Sequence, residues 1–226
     1  MDKNEELKFL LEIRLFYYSF LKSIFLSEPT KELLKLILQD DMIDKMPFKE
    51  ESELIKEGYE EIADFFSNKD VLSDESFEEL HWDYTRMFIG PYKLPAPPWE
   101  SAYLNDERLL FQKETMEVRD MYVKYSFISE NYLYEPDDHI GLELDFMSKL
   151  IELSIEAYEK SDEEKFLKVI KDEEFFLSNH LLKWCNGFSE DIINNSNTNF
   201  YKGIAKVLSG YLEFDCEMVK GIIKNL

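Results

Sequence analysis

Two short stretches gather the residues able to do chemistry. The first is Tyr84-Thr-Arg86-Met-Phe88-Ile-Gly90-Pro91, which runs on to Pro95-Ala-Pro97-Pro98-Trp99-Glu100-Ser101 and Tyr103. The second is Glu135-Pro136-Asp137-Asp138-His139. Carboxylates beside an imidazole can serve acid–base catalysis or hold a metal. An aromatic ring on a stiff backbone can serve as a binding anchor. Spacing separates these chemistries. His81, His139 and His180 are the only histidines, and no pair has metal-ligand spacing. Asp138 and His139 are adjacent, so a helix would point them to different faces. No Gly-rich phosphate loop or nucleophile elbow is present. The reading is therefore no catalytic residue, no metal and no cofactor. An enzyme built on Asp138 and His139 would need an enclosed cleft and a third polar partner.

Binding fits the first stretch better. Four of the seven prolines fall between Pro91 and Pro98, beside one of three tryptophans. Proline fixes its own φ and extends its neighbour, so the segment is stiff. Trp99 is then either an exposed anchor or a plug in the core. Glu100 either caps the next turn or faces a cation. In the second stretch, Pro136 and one aspartate suit a helix N-terminus, where the macrodipole favours negative charge. His139 is disfavoured there as a cation, which predicts a neutral ring. Arg86 is expected in an ion pair with one of the chain's many carboxylates.

The elements that must position these residues are helical. Leu7, Leu10, Leu11, Leu15, Tyr18, Leu21 and Phe25 form one stripe over 5–26. Pro29 is expected in the first turn of a helix reaching Leu38, followed by a loop from Asp40 to Lys49. A helix from about Glu50 carries Leu54, Ile55, Tyr59, Ile62 and Phe66. Ser73 reads as the N-cap of the next, with Phe77, Leu80, Tyr84 and Phe88 inward and Gly90-Pro91 as its stop. Leu109, Leu110, Met116, Met121 and Tyr125 mark another, then a loop near Ser129–Tyr134. Glu135-Pro136 should open a long helix with two apolar stripes, hence central in the fold. Ser161-Asp-Glu-Glu164 has the capping-box pattern, opening a helix closed by Gly187. Asn194–Asn199 is a polar loop before a last helix over Phe200–Lys224. No strand alternation, repeat or low-complexity tract appears. The fold class expected is all-α, eight to ten helices in one compact bundle, a single domain over 1–226.

Composition agrees. The 226 residues include 18 Phe and 13 Tyr, and only seven Gly and seven Pro, which favours long unbroken helices. The net charge of -22 excludes a nucleic-acid surface and disfavours an anionic membrane. It suits a cationic partner, whose approach it accelerates. Cys185 and Cys216 are too few for a disulfide framework or metal motif. The acidic start and the lack of an 18-residue apolar run predict a cytoplasmic protein without membrane insertion.

Together the two motifs resemble those of the TorD/DmsD family of cytoplasmic redox-enzyme maturation chaperones. That family carries Tyr-x-Arg-x-Phe-x-Gly-Pro, then a Pro-Pro-Trp-Glu-Ser-x-Tyr loop, then Glu-Pro-x-Asp-His before a central helix. Here these are Tyr84, Arg86, Phe88, Gly90 and Pro91; Pro97, Pro98, Trp99, Glu100, Ser101 and Tyr103; and Glu135, Pro136, Asp138 and His139. The resemblance implies a non-enzymatic role: binding the twin-arginine signal peptide, or the apo body, of a molybdopterin oxidoreductase until its cofactor is inserted. It places Tyr84, Phe88, Pro98, Trp99, Glu100, Asp138 and His139 at or beside the peptide groove. The nitrate-reductase branch has weaker forms of these motifs, so the resemblance is to the TorD/DmsD branch. A basic n-region followed by an apolar h-region calls for carboxylates and an aromatic-lined groove. The alternative is an acidic helical adaptor with another partner. Long helices permit a monomer or a helix-swapped dimer.

Overall fold

The computed structural model describes residues 3–39, 42–105, 107–128 and 135–226. Asp40 and Asp41 of the first expected loop and the whole Ser129–Tyr134 loop lie outside these. The helices are α1 (Lys3–Phe25), α2 (Lys31–Leu38), α3 (Glu53–Asn68), α4 (Asp74–Tyr84), α5 (Ser101–Leu104), α6 (Lys113–Lys124), α7 (Ile140–Glu159), α8 (Glu163–Phe176), α9 (Leu182–Asn195) and α10 (Asn199–Lys224). A π-turn over Thr85–Ile89 extends α4, and a second, Leu177–Leu181, joins α8 to α9. The all-α class holds: among the described residues the sole β feature is an isolated antiparallel bridge between Trp99 and His139. No described helix is long and apolar enough to cross a membrane.

Apolar periodicity located the helices; their ends follow capping chemistry. Thr30, not Pro29, starts α2: its side chain accepts the Leu33 N–H, and Pro29 stands outside the helix. Ser73 caps α4 as expected, accepting the Ser76 N–H. Leu109 and Leu110 precede α6 rather than lying in it. Glu135-Pro136 form a turn before α7, whose N-cap is His139. Asp162, not Ser161, caps α8 by accepting the Lys165 N–H. Gly187 does not end a helix; it lies inside α9. At the Gly90 stop, the glycine N–H closes the π-turn on the Thr85 carbonyl at 2.9 Å. Its φ of +104° is a left-handed conformation that needs glycine.

The helices gather into two compact units, each drawn from separate stretches of chain. The first comprises Met1–Leu26, Trp99–Trp184 and Asp215–Leu226. Its centre is α7, packed on α1 and α8. Both expected stripes are buried, through Ile140, Leu144 and Ile151 on one side and Leu142, Phe146 and Leu150 on the other. Gly141 lets the start of α7 close on α1: a Cβ there would stand 2.7 Å from Leu26 Cα. A wholly buried ion network ties three helices. The Arg14 guanidinium grips Asp215 with two N–H groups, at 2.6 and 3.0 Å, and Glu173 with a third at 2.7 Å. Tyr18 donates to Asp215 at 2.7 Å, and Ser154 donates to Glu173. Every charge in it has a partner, which burial at zero exposure demands.

The second unit comprises Ser27–Pro98 and Cys185–Phe214. Here α3 crosses α10 at a pair of glycines. A Cβ on Gly58 would lie 2.6 Å from the Gly203 carbonyl oxygen, and one on Gly203 would lie 2.4 Å from that of Gly58. Beside the crossing, Phe200 packs on Phe65 and Phe66, with ring centroids 5.9 and 6.1 Å apart. The Gly58→Ala variant must push the backbones apart, because a carbonyl cannot step aside as a side-chain end can. We expect it to lose about 1–3 kcal/mol, read as a lower urea midpoint; an unchanged midpoint would mean the crossing opens freely.

Candidate functional site

The proline-stiffened segment ends in a turn fastened to the start of α7. The Glu100 N–H donates to the Asp138 carbonyl at 2.9 Å, and the Ser101 N–H to the Asp138 carboxylate at 2.8 Å. These bonds carry the Trp99–His139 bridge and set the two rings edge to face, with centroids 6.0 Å apart. Trp99, Glu100 and Ser101 therefore lie beside Asp138 and His139 despite a separation of almost forty residues. Trp99 remains half-buried, while His139 and Asp138 are buried.

His139 caps α7 with its ring. Its Nδ1 accepts the Gly141 N–H at 3.0 Å, so that nitrogen bears no proton. Burial holds the imidazole neutral, its pKa lowered to about 4. The flanking residues are engaged as well. Asp137 takes the Arg119 guanidinium at 2.5 Å, and its carbonyl takes the Tyr122 hydroxyl at 2.9 Å. The half-buried Glu135 has its carboxyl pushed up by burial.

Glu100 turns inward, 1% exposed, and lies 3.0 Å from His180 Nδ1. It also meets Glu143, a fully buried residue of α7 that takes the Trp184 Nε1–H at 3.3 Å. Burial, then the charges of Glu100 and Asp138, push the Glu143 carboxyl well above the usual carboxylate range. Burial likewise raises Glu100, against the pull of His180. Of the two, Glu143 is pushed up the more strongly and is the better holder of a proton. Tyr103 closes this side, packed on Trp184 at 5.5 Å with Arg108 over its other face. Chemically, the imidazole is committed to a cap and one oxygen of the Asp138 carboxylate to the Ser101 N–H. The Trp99 ring stays half-buried.

The other expected site residues belong to the second unit. Tyr84 and Phe88 are buried, edge to face at 5.0 Å, and pack on Tyr201 and Phe188. Arg86 makes the ion pair the sequence suggested, with Asp83 at 2.7 Å, and also donates to the Asn195 carbonyl. Asp83 in turn accepts from the Ser196 hydroxyl and from the Asn197 and Thr198 N–H groups, at 2.7 to 3.0 Å. It thereby shapes the α9–α10 turn. Pro97 and Pro98 are buried, whereas Pro91 is exposed. The structure thus brings together Trp99, Glu100, Ser101, Tyr103 and Glu135–His139 in one unit, and Tyr84, Arg86, Phe88, Gly90, Pro91, Pro97 and Pro98 in the other. Sequence reasoning passed over Asp83, Glu143, His180 and Trp184. Glu143 between Leu142 and Leu144 reads no differently from Asp145 between Leu144 and Phe146, yet Asp145 stays half-buried and pairs with Lys22, so the sequence held no signal that set Glu143 apart.

Two pH limbs follow. The native state resists protonating His139 until about pH 4, while the unfolded chain takes that proton near 6.5. Stability is therefore present above 6.5 and lost as pH falls, by about 2 kcal/mol at pH 5 from this residue. His139→Asn keeps a capping acceptor and removes the titration, so its urea midpoint should fall less than wild type between pH 7 and 5. Glu143 has the opposite sign. Its native proton is one that the unfolded chain releases near 4.5, so stability declines as pH rises above that value. Glu143→Gln should gain on wild type from pH 5 to pH 8; a pH-independent difference would refute the proton on Glu143.

Comparison with known proteins places this geometry in a lineage. The model of the family described as nitrate reductase delta subunit matches residues 49–190. The chain is 28% identical over 216 residues to the chaperone protein TorD of Aliivibrio salmonicida, covering 96% of this chain and 99% of that one. It is 29% identical over 193 residues to the Tat proofreading chaperone DmsD of Salmonella typhimurium, covering 85% and 79%. The fold is similar to the crystal structure of a candidate redox enzyme maturation protein from Archaeoglobus fulgidus, at 21% identity and a TM-score of 0.51 over 90% of this chain and 93% of that one. The chain belongs to the nitrate reductase delta subunit family, as a relative of its TorD and DmsD maturation chaperones.

Proposed function

We propose that this protein is a redox-enzyme maturation chaperone. It binds the twin-arginine signal peptide, or the apo body, of a molybdenum-cofactor enzyme in the cytoplasm and delays export until the cofactor is in place. The observation that carries this reading is the correspondence with a protein named chaperone TorD along nearly the whole of both chains. No reaction chemistry is called for, since these relatives are named chaperones.

The peptide contact is proposed at Trp99. Its ring is half-buried and braced by His139, so little side-chain entropy is lost when an apolar segment packs on it. Glu100, Asp138 and His139 serve beneath it by holding the ring in place, since their polar atoms are buried. Tyr84, Phe88 and Pro98 are proposed on the family resemblance alone. The arginines of the signal are drawn in by the field of the -22 charge and meet exposed carboxylates rather than Asp138.

Calorimetry with twin-arginine signal peptides from the same genome tests the reading. At least one should bind at micromolar Kd or tighter, and Trp99→Ala should weaken it at least tenfold, about 1.4 kcal/mol, with little change in Tm. No binding by any such peptide or apo-enzyme would overturn the function. Full binding by a destabilised Trp99→Ala variant would overturn the site.

A further inference from the structure

A second feature of the first unit stands apart from Trp99. An open cleft of about 780 Å³ lies where the end of α7, the start of α8, the first turns of α1 and the end of α10 meet. Ala157 of α7 is 17 residues beyond Ile140, so the cleft is roughly 25 Å from the His139 cap along the helix. Its lining divides by chemistry. Leu7, Tyr158, Phe166 and Leu167 supply apolar surface, with the rings of Tyr158 and Phe166 5.4 Å apart. Glu5, Glu159, Asp162 and Glu163 supply carboxylates, against the single cation Lys8.

Lys8 shows what the rim accepts. Its Nζ lies 2.5 Å from Glu159, with Glu12 at 3.9 Å. Glu163 is exposed at the first turn of α8 and makes no ion pair among the described residues. Such a rim repels small anions. A neutral apolar ligand would leave it unused. A segment with leucine-like side chains on one face and lysine or arginine at its edge satisfies both parts.

We propose that this cleft is a docking site for a basic amphipathic helical segment of a partner protein, distinct from the signal-peptide contact at Trp99. The segment lays its apolar face over Leu7, Tyr158 and Leu167, with the buried Phe166 beneath. Its cations meet Glu159 and Glu163, displacing Lys8 from Glu159.

The probe is a fluorescent leucine–lysine peptide of about four helical turns, with a leucine–glutamate peptide of the same pattern as control. The full chain should bind the basic peptide in a salt-sensitive manner, ignore the acidic one, and shift the amide resonances of Ala157 and Leu167. Glu163→Lys should weaken binding at least fivefold with Tm unchanged. Lys8→Ala, which frees Glu159, should strengthen it severalfold. Glu78→Lys makes the same charge change at an exposed position on α4 of the other unit and should leave affinity within twofold. Equal loss in Glu78→Lys and Glu163→Lys, shifts confined to Trp99 and His139, or no binding at all would overturn the proposal. The twin-arginine peptide affinity should be the same in Glu163→Lys and wild type, so this test and that of the Trp99 site fail separately.

Discussion

Asp138 is the hinge pin of the site. Its carboxylate and its carbonyl each accept one N–H, from Ser101 and Glu100, and those two bonds fasten a proline-stiffened loop to the first turn of α7. Much else follows from them. Trp99 can rest on the His139 ring only because the backbone beside it is held. Glu100, next in the chain, has nowhere to go but inward, where it meets His180 and Glu143. A loop with fewer prolines would have to be ordered by those bonds alone; here most of the ordering entropy is already spent in the sequence.

The fastening also creates the chief electrostatic problem of the first unit. Three carboxylic side chains, Glu100, Asp138 and Glu143, sit at 1% exposure or less. Across the described residues the buried acids are relieved by several devices. Asp138 and Asp83 use backbone N–H groups, Asp83 with Arg86 added. Glu173 and Asp215 use the Arg14 guanidinium. Glu143 uses a proton, beside Trp184, and Glu100 lies against His180. In so acidic a chain, these buried acids are architecture.

This division explains why the two motifs are so recognisable. Most of their residues are committed to internal work: Gly90 to a left-handed turn, Arg86 to Asp83, His139 to a cap, Ser101 and Asp138 to each other. Substituting any one exposes a buried polar group or strains a turn. Trp99, which stays half-buried, is a small part of the pattern, held in place by the rest.

The sequence by itself determined the helices and their inward faces, because apolar side chains at a period of 3.6 can be buried only one way. It also determined the stiff loop and the neutral histidine. It misread helix starts at Pro29 and Ser161, and an end at Gly187, because caps are chosen by which side chain reaches an orphan N–H, a matter of local geometry. Only the tertiary structure decided which residues far apart in the chain would meet: Arg14 with Glu173 and Asp215, Asp83 with the 196–198 turn, Glu100 with Glu143. Periodicity records that a face is buried and says nothing of what it is buried against; that choice is made by close packing, as where Gly58 and Gly203 admit each other's backbone and no larger residue could.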